Sequence, residues 1–462
     1  MDQFERPTVI PPYLLERIAS ATRLRRAPRA AQNTLVRQEA QRLAAIKRSG
    51  KVAGEPPSER AEQALTREIS DAEGTEILPG SPVRIEGEPE SDDPTVNEAY
   101  DGLGHTYALF GDVFDRSSID GRGMPLRATI HYGQDYDNAF WNSTRMVFGD
   151  GDGEVFNRFT ISLSIIGHEL THGVTEHTAA LRYAGQSGAL NESISDVFGS
   201  LVEQYARSQT VGEASWLIGE GLFTDAVQGQ ALRSLKAPGT AYDDDVLGID
   251  PQPSTMSGYV ETQEDNGGVH INSGIPNHAF YLLATSLGGH AWEKAGAIWY
   301  RALTAGGLTA DASFAEFADA TVTAAGSLFN ESVVAAVQRA WQAVEVSVGA
   351  PDSPLSSGST VPAPRTSQLI VERSGGVAGI SRTWHMSIDT LPDADDVRRM
   401  LRDVASEPAR QLSTRAPDQF QYRIHCTSLD GESDDLETTL AESELTASWR
   451  EIIERVRSAD HE

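Results

Sequence analysis

The stretch "IIGHELTHGVTEHT", residues 165–178, sets His168 and His172 four positions apart in an apolar-flanked segment, with Glu169 between them. On an α-helix that spacing puts both imidazoles on one face, where each can direct a ring nitrogen at the same divalent ion about 2 Å away. Glu169 then projects beside the ion without having to ligate it, as a general base would. The polar face of an ordinary surface helix can carry His168, Glu169, His172, Glu176 and His177 by chance. A third donor discriminates between the two readings, because zinc held by two imidazoles needs one more protein ligand and an open position for water.

Two donors compete for that place. The three-histidine pattern requires Gly at 175 and His at 178, but both positions are Thr, and His177 is one place short. The other donor is Glu192 in "SGALNESISDVFG", twenty positions after His172 on the next expected helix. Asp196 follows one turn later, where it can accept the free N–H of a liganding imidazole.

Taken in order, "HELTH", "GALNESISD" and "DNGGVHINSG" resemble the thermolysin family of zinc metallopeptidases over roughly residues 75–348. The resemblance implies an α+β, two-lobed fold with a β-rich N-terminal lobe and a helical C-terminal lobe. It carries His168, His172 and Glu192 over as zinc ligands, Glu169 as the base and Asp196 as the orienting acid. Tyr183 and His270 match the groups that stabilise an oxyanion, and Asp265 stands where it can hold the His270 imidazole in its useful tautomer. Asn138 and Ala139 match positions that bind a peptide backbone as an added strand, and Arg233 one that holds a primed-side carbonyl. Phe156, Phe159, Ile165, Ile218 and Leu232 fall where relatives line the first primed pocket, so cleavage before apolar residues is expected. Glu203 and Glu220 are retained where relatives carry paired calcium, but Ser164, Ser215 and Leu217 replace expected carboxylates. One calcium ion at most is therefore expected beside zinc.

Composition narrows the classes further. A chain of 462 residues with 39% hydrophobic content is long enough for several domains. A single cysteine, Cys426, rules out an internal disulfide framework and any four-thiolate metal site. The net charge of -29 argues against a nucleic-acid partner. Residues 1–60 nevertheless carry 12 Lys/Arg against 6 Asp/Glu, leaving 26 against 61 in the remainder, so a basic leader precedes an acidic body. The start, "MDQFERPTVIPPYLLERIAS", lacks the pattern of a secretory signal, and no apolar run is long enough to span a membrane. The expected location is cytoplasmic as synthesised, with secretion by a route that reads no such signal as the other option.

The expected domains are a propeptide-like leader over 1–65, lobes over 66–160 and 161–350, a Pro/Ser linker over 351–366 and a small α/β domain over 367–462. Residues 31–48 form an amphipathic helix in this reading. "TVIPPYLLERIA" resembles the short propeptide of the protealysin-like branch; Pro11 and Pro12 preset an extended backbone and Tyr13 and Leu14 offer bulky groups to an apolar cleft. Processing is expected near "GEPPSERAEQALTRE". "LIVERSGGVAGISRTW" resembles emfourin, a small inhibitor of protealysin-like peptidases, which implies enzyme and inhibitor on one chain. The expected function is a zinc endopeptidase acting on peptides or proteins and made as a latent precursor, with its leader and its C-terminal domain as inhibitory partners. The alternative is a catalytically silent or self-inhibited regulatory, peptide-binding protein. His105, His131, His290, His385 and His425 have no register with these motifs and are read as structural or solvated.

Overall fold

A computed structural model describes residues 7–48, 65–349 and, within 368–456, four strands with parts of two helical stretches. The expected Pro/Ser linker and most of the expected processing region lie outside the described residues. The chain divides into two units, residues 1–351 and 352–462.

In the first unit, Pro12–Ala19 (α1) and Ala27–Arg48 (α2) open the described chain. Helix α1 buries Leu14, Leu15 and Ile18, one face at helical spacing. The strands Arg67–Asp71 (β1), Ser81–Ile85 (β2), Leu126–Ile130 (β3), Ala139–Trp141 (β4) and Met146–Phe148 (β5) form one mixed sheet in the order β2-β1-β3-β5-β4. Strands β1, β3 and β5 are parallel, and β2 and β4 run antiparallel to their neighbours at the two edges. Edge strand β4 is therefore open to pairing with an added chain.

The helix Pro94–Ala108 (α3) lies in the half expected to be strands and turns. Its signals are a capping Asp93, whose carboxylate accepts from the Thr95 N–H, and Pro94 at the first helical position. Gly102 masks it in the sequence by lowering helix propensity. The glycine is needed because a Cβ there would lie 2.4 Å from Ile166 Cδ1.

Leu163–Glu176 (α4) and Gly185–Ala206 (α5) run through the core, with every residue of Ser164–Thr175 and of Ser187–Gln204 buried. The histidine-bearing segment is thus no surface face. At their crossing, a Cβ on Gly199 would meet the Ser164 carbonyl oxygen at 2.4 Å and the His168 nitrogen at 3.0 Å. The two backbones touch there, and this contact brings α5 close enough for its acidic side chains to reach the α4 imidazoles.

Leu217–Ile218 (β6) pairs with Arg233–Ser234 (β7), and Asp243–Asp244 (β8) with Gly248–Ile249 (β9). Asp265–Asn272 (α6), Gly274–Leu287 (α7), Ala297–Thr304 (α8), Phe314–Leu328 (α9) and Glu331–Ala343 (α10) complete the helical half. Trp299 and Trp341 stack at 5.6 Å within it.

In the second unit, Gln368–Gly375 (β10), Arg382–Ser387 (β11), Phe420–Thr427 (β12) and Leu436–Ala441 (β13) form an antiparallel sheet in the order β11-β10-β12-β13. Alternate residues Leu369, Val371, Tyr422 and Ile424 are buried with Val397 and Leu401 and with Trp449, Ile452, Ile453 and Val456, a sheet face covered by residues at helical spacing.

His131 sits at φ 50° and bridges two loops, with Nδ1 2.8 Å from Asp150 and Nε2 2.8 Å from Asp93. The Asp150 hydrogen bond, opposed by burial and reinforced by Asp93, raises its pKa to about 9. A raised value means that the charged bridge contributes fully below pH 6.5 and is lost as pH rises through about 9. His131→Asn, which tolerates the backbone conformation, is expected to lower Tm by about 2–4 °C near pH 6 and to differ little from the parent above pH 9 in thermal melts. Gly199→Ala is expected to cost about 1–3 kcal/mol by forcing α5 off α4, read from chemical denaturation.

Candidate metal centre and substrate cleft

His168 and His172 lie one helical turn apart on α4, and their Nε2 atoms are 3.1 Å from each other. Each ring is fixed from behind. His168 Nδ1 lies 2.8 Å from Asp196 Oδ1, and His172 Nδ1 lies 2.9 Å from Asn191 Oδ1. Both acceptors require the proton on Nδ1, so both Nε2 atoms present lone pairs to each other. Burial, the largest influence on His172, pushes its pKa down to about 3, so that ring stays neutral.

Glu192 on α5 completes the cluster. Its oxygens lie 3.5 Å from both Nε2 atoms, and Oε2 is buried without a hydrogen-bond partner. Burial alone would raise its pKa, but the charge of His270 foremost holds it below the ordinary carboxylate value. Two facing lone pairs and an orphaned carboxylate oxygen in a buried pocket form a donor set that a divalent cation satisfies and that water-free protein does not.

Around this centre the structure brings together nearly all the residues singled out in the sequence. Glu169 Oε2 accepts from the Trp141 N–H at 2.9 Å, while Oε1 has no hydrogen-bond partner. Burial, then the Glu192 charge, keeps Glu169 well above the ordinary carboxylate range. The Tyr183 hydroxyl donates to Glu192 and lies 3.2 Å from His270 Nε2. His270 is backed by Asp265, with Nδ1 2.6 Å from Oδ1, and its pKa stands at about 9 although burial opposes the charge. Arg233 donates from Nε and Nη2 to the two Asp196 oxygens, both at 2.8 Å. Ile165 and Leu232 meet at the position a Gly219 side chain would take, Ile218 pairs with Arg233, and the Phe156 and Phe159 rings lie 5.8 Å apart. At the positions considered for calcium, Glu203 pairs with Arg207, and the Ser164 hydroxyl accepts from the Gly219 N–H.

Several supporting residues were not read from the sequence. Asn191 and Ser195 both reach His172 Nδ1, and Asn277 donates to Asp196 at 2.9 Å. Asn191 and Ser195 stand in the Glu192 motif at helical spacing, a signal that could have found them; Asn277, 81 positions from its partner, carries none.

The leader lies in the cleft. The Thr8 carbonyl accepts from His270 Nε2 at 3.0 Å, and the Val9 carbonyl from Arg233 Nη1 at 3.2 Å. The Val9 N–H donates to the Ala139 carbonyl at 3.4 Å, extending edge strand β4, while Asn138 Oδ1 and Nδ2 pair with both backbone groups of Ile10 at 3.0 Å. The expectation of an extended Pro11-Pro12 segment is corrected: extended backbone ends at Pro11, and Pro12 starts α1. Thr8–Ile10 enter the cleft, while Tyr13, on that helix, turns its phenol toward Tyr242.

Residues 86–176 match the thermolysin metallopeptidase catalytic domain, residues 179–346 its α-helical domain and residues 371–457 emfourin. The chain is 53% identical over 342 residues to an extracellular metalloprotease of Pectobacterium carotovorum subsp. carotovorum, covering 74% of this chain and 96% of that protein. It is 47% identical to protease PrtS of Photorhabdus sp. (strain Az29), covering 74% and 92%. The precursor of protealysin, a metalloproteinase from Serratia proteamaculans, superimposes with a TM-score of 0.64 at 51% identity, over 74% of this chain and all of that one. The expected cytoplasmic location is overturned, because the Pectobacterium relative is named as extracellular, which points to secretion. The first twenty residues were a poor guide to location because part of that stretch has another task, pairing with the cleft. By sequence, fold and donor set, the chain belongs to the thermolysin family of zinc metalloendopeptidases and carries an emfourin domain after the peptidase.

Proposed function

We propose that this peptidase cleaves peptide bonds with Glu169 as general base, and that it is made latent, with its own leader lying in the cleft as a substrate would. The single observation that carries this reading is the hydrogen-bond register of Thr8, Val9 and Ile10 against His270, Ala139, Arg233 and Asn138.

His168, His172 and Glu192 would hold the zinc, with Asp196 and Asn191 fixing the rings. When bound, zinc supplies a Lewis acid that polarises a carbonyl and acidifies water. Glu169, anchored through one oxygen by Trp141, keeps the other free to take a proton and hand it to the leaving nitrogen. His270, charged through its contact with Asp265, donates to the carbonyl oxygen at which negative charge develops, and Tyr183 stands beside it as a second donor. Arg233 and Asn138 hold the chain beyond the reacting bond, so the substrate backbone arrives oriented.

In the leader, the carbonyl on His270 belongs to Thr8 and the carbonyl on Arg233 to Val9, so Thr8–Val9 occupies the place of a scissile bond. Val9 is fully buried, in keeping with an apolar first primed pocket formed by Phe156, Phe159, Ile165, Ile218 and Leu232. A protein substrate must displace this segment. The emfourin domain is the second proposed inhibitor of the same active site.

Glu169→Ala is expected to retain zinc, measured by elemental analysis, and to lose about 100-fold or more in kcat/KM on a peptide cleaved before Leu or Phe. Val9→Asp in the uncleaved chain is expected to raise basal peptidase activity, because an unpaired carboxylate in the apolar pocket weakens the leader's hold. Unchanged activity in that variant would contradict the latch.

A further inference from the structure

Beyond Ile10 the leader leaves the cleft and crosses the body along an acidic rim. Arg23 Nη2 lies 2.7 Å from Asp245 Oδ1 and 3.4 Å from Asp244 Oδ2, and its Nη1 donates to the Ala226 carbonyl at 3.0 Å. The backbone N–H groups of Arg25, Arg26 and Ala27, at the start of α2, all donate to the Glu154 carboxylate at 2.7–3.0 Å. Arg26 Nη2 lies 2.9 Å from Asp135 Oδ1. Acidic side chains on a surface do not by themselves make a site. Here a ligand is seated on them, two guanidinium groups and the N-terminal turn of a helix, at a distance from the reacting bond set by the chain.

We propose that the rim formed by Asp135, Glu154, Asp244 and Asp245 is an exosite, which after leader release favours protein substrates that present Arg or Lys about fourteen to seventeen residues beyond the cleaved bond, just ahead of a helix. The spacing is that of Arg23 and Arg26 from Val9. The inference rests on the leader occupying the cleft as a substrate does. The rim asks little of its occupant's sequence: it takes positive charge and the free backbone N–H groups at a helix start, which any basic segment leading into a helix offers. Long-range charge acts in the same direction, since residues 61–462 carry 26 Lys/Arg against 61 Asp/Glu. Asp244 is buried, but the Arg26–Asp135 and Arg23–Asp245 pairs are largely solvent-exposed, with Arg26 side-chain exposure of 64% and Asp245 of 72%, so the preference is a salt-sensitive bias added to the cleft's own selection.

The test uses the complete chain, with Glu169→Ala to stop turnover and a foreign protease site inserted between residues 49 and 64. After nicking, a fluorescent leader peptide is bound and then displaced by competitors. Each competitor begins Thr-Val-Ile-Pro-Pro and continues as two unrelated alanine-based helices at the places of α1 and α2, joined by a Gly/Ser connection that carries Arg, Gln or Glu at the places of Arg23 and Arg26. At low salt the Arg competitor is expected to displace the leader at about one-tenth the concentration of the Gln competitor, and the Glu competitor to be weaker still. The difference should vanish in 1 M salt and in a chain carrying Asp135→Asn, Glu154→Gln and Asp245→Asn. Equal displacement by all three competitors, or a preference that survives neutralisation, would overturn the exosite while leaving the latch intact. A leader peptide that fails to rebind the nicked chain would overturn the latch and the exosite with it.

Discussion

Two imidazole lone pairs facing each other at 3.1 Å inside a protein core are the feature on which the rest of the molecule depends. Left alone they repel, and the hydrogen bonds at their far nitrogens prevent either ring from turning or taking the other tautomer. The nearby Glu192 carboxylate adds a buried negative charge. The fold holds this cluster by bringing α4 and α5 into backbone contact at Gly199, and a divalent cation among the three groups satisfies all of them. The fold thus carries a local electrostatic cost at this point that metal binding offsets.

The same cluster bears on the proposed latch. A preorganised base, a charged imidazole and an edge strand are ready for any extended peptide. Residues 8–10 use those groups rather than covering them: they pair with β4, offer one carbonyl to His270 and another to Arg233, and bury Val9. Arg233 links latch and metal centre, because the guanidinium that holds the Val9 carbonyl also braces Asp196, which orients His168. Loss of the leader therefore removes a hydrogen bond from the residue that braces the orienting acid.

Much of this was legible in the sequence because the chemistry is local there. His168, Glu169 and His172 share one helical turn, and Glu192 and Asp196 another, so periodicity put each set on one face and the family resemblance supplied their roles. The pairing of Asn138, Ala139 and Arg233 with a peptide backbone came from resemblance, and the leader's contacts agree with it in kind. Contacts between distant segments were not legible. Asn277 on Asp196 and the capping of α2 by Glu154 depend on residues that have no periodic relation to their partners. Helix α3 was missed because glycines required by close packing disguise it, and the turn at Pro12 because two consecutive prolines read as extended chain. Location was misread because a segment that docks in the cleft was taken as evidence about targeting.

The central claim is that one carboxylate from α5 joins two imidazoles from α4 around zinc. X-ray absorption at the zinc edge, on the full chain and on Glu192→Ala, tests it most directly. The account predicts two imidazole ligands and one carboxylate in the parent, with zinc lost or the carboxylate oxygen replaced by solvent in the variant. An unchanged coordination shell and undiminished zinc content in Glu192→Ala would contradict it.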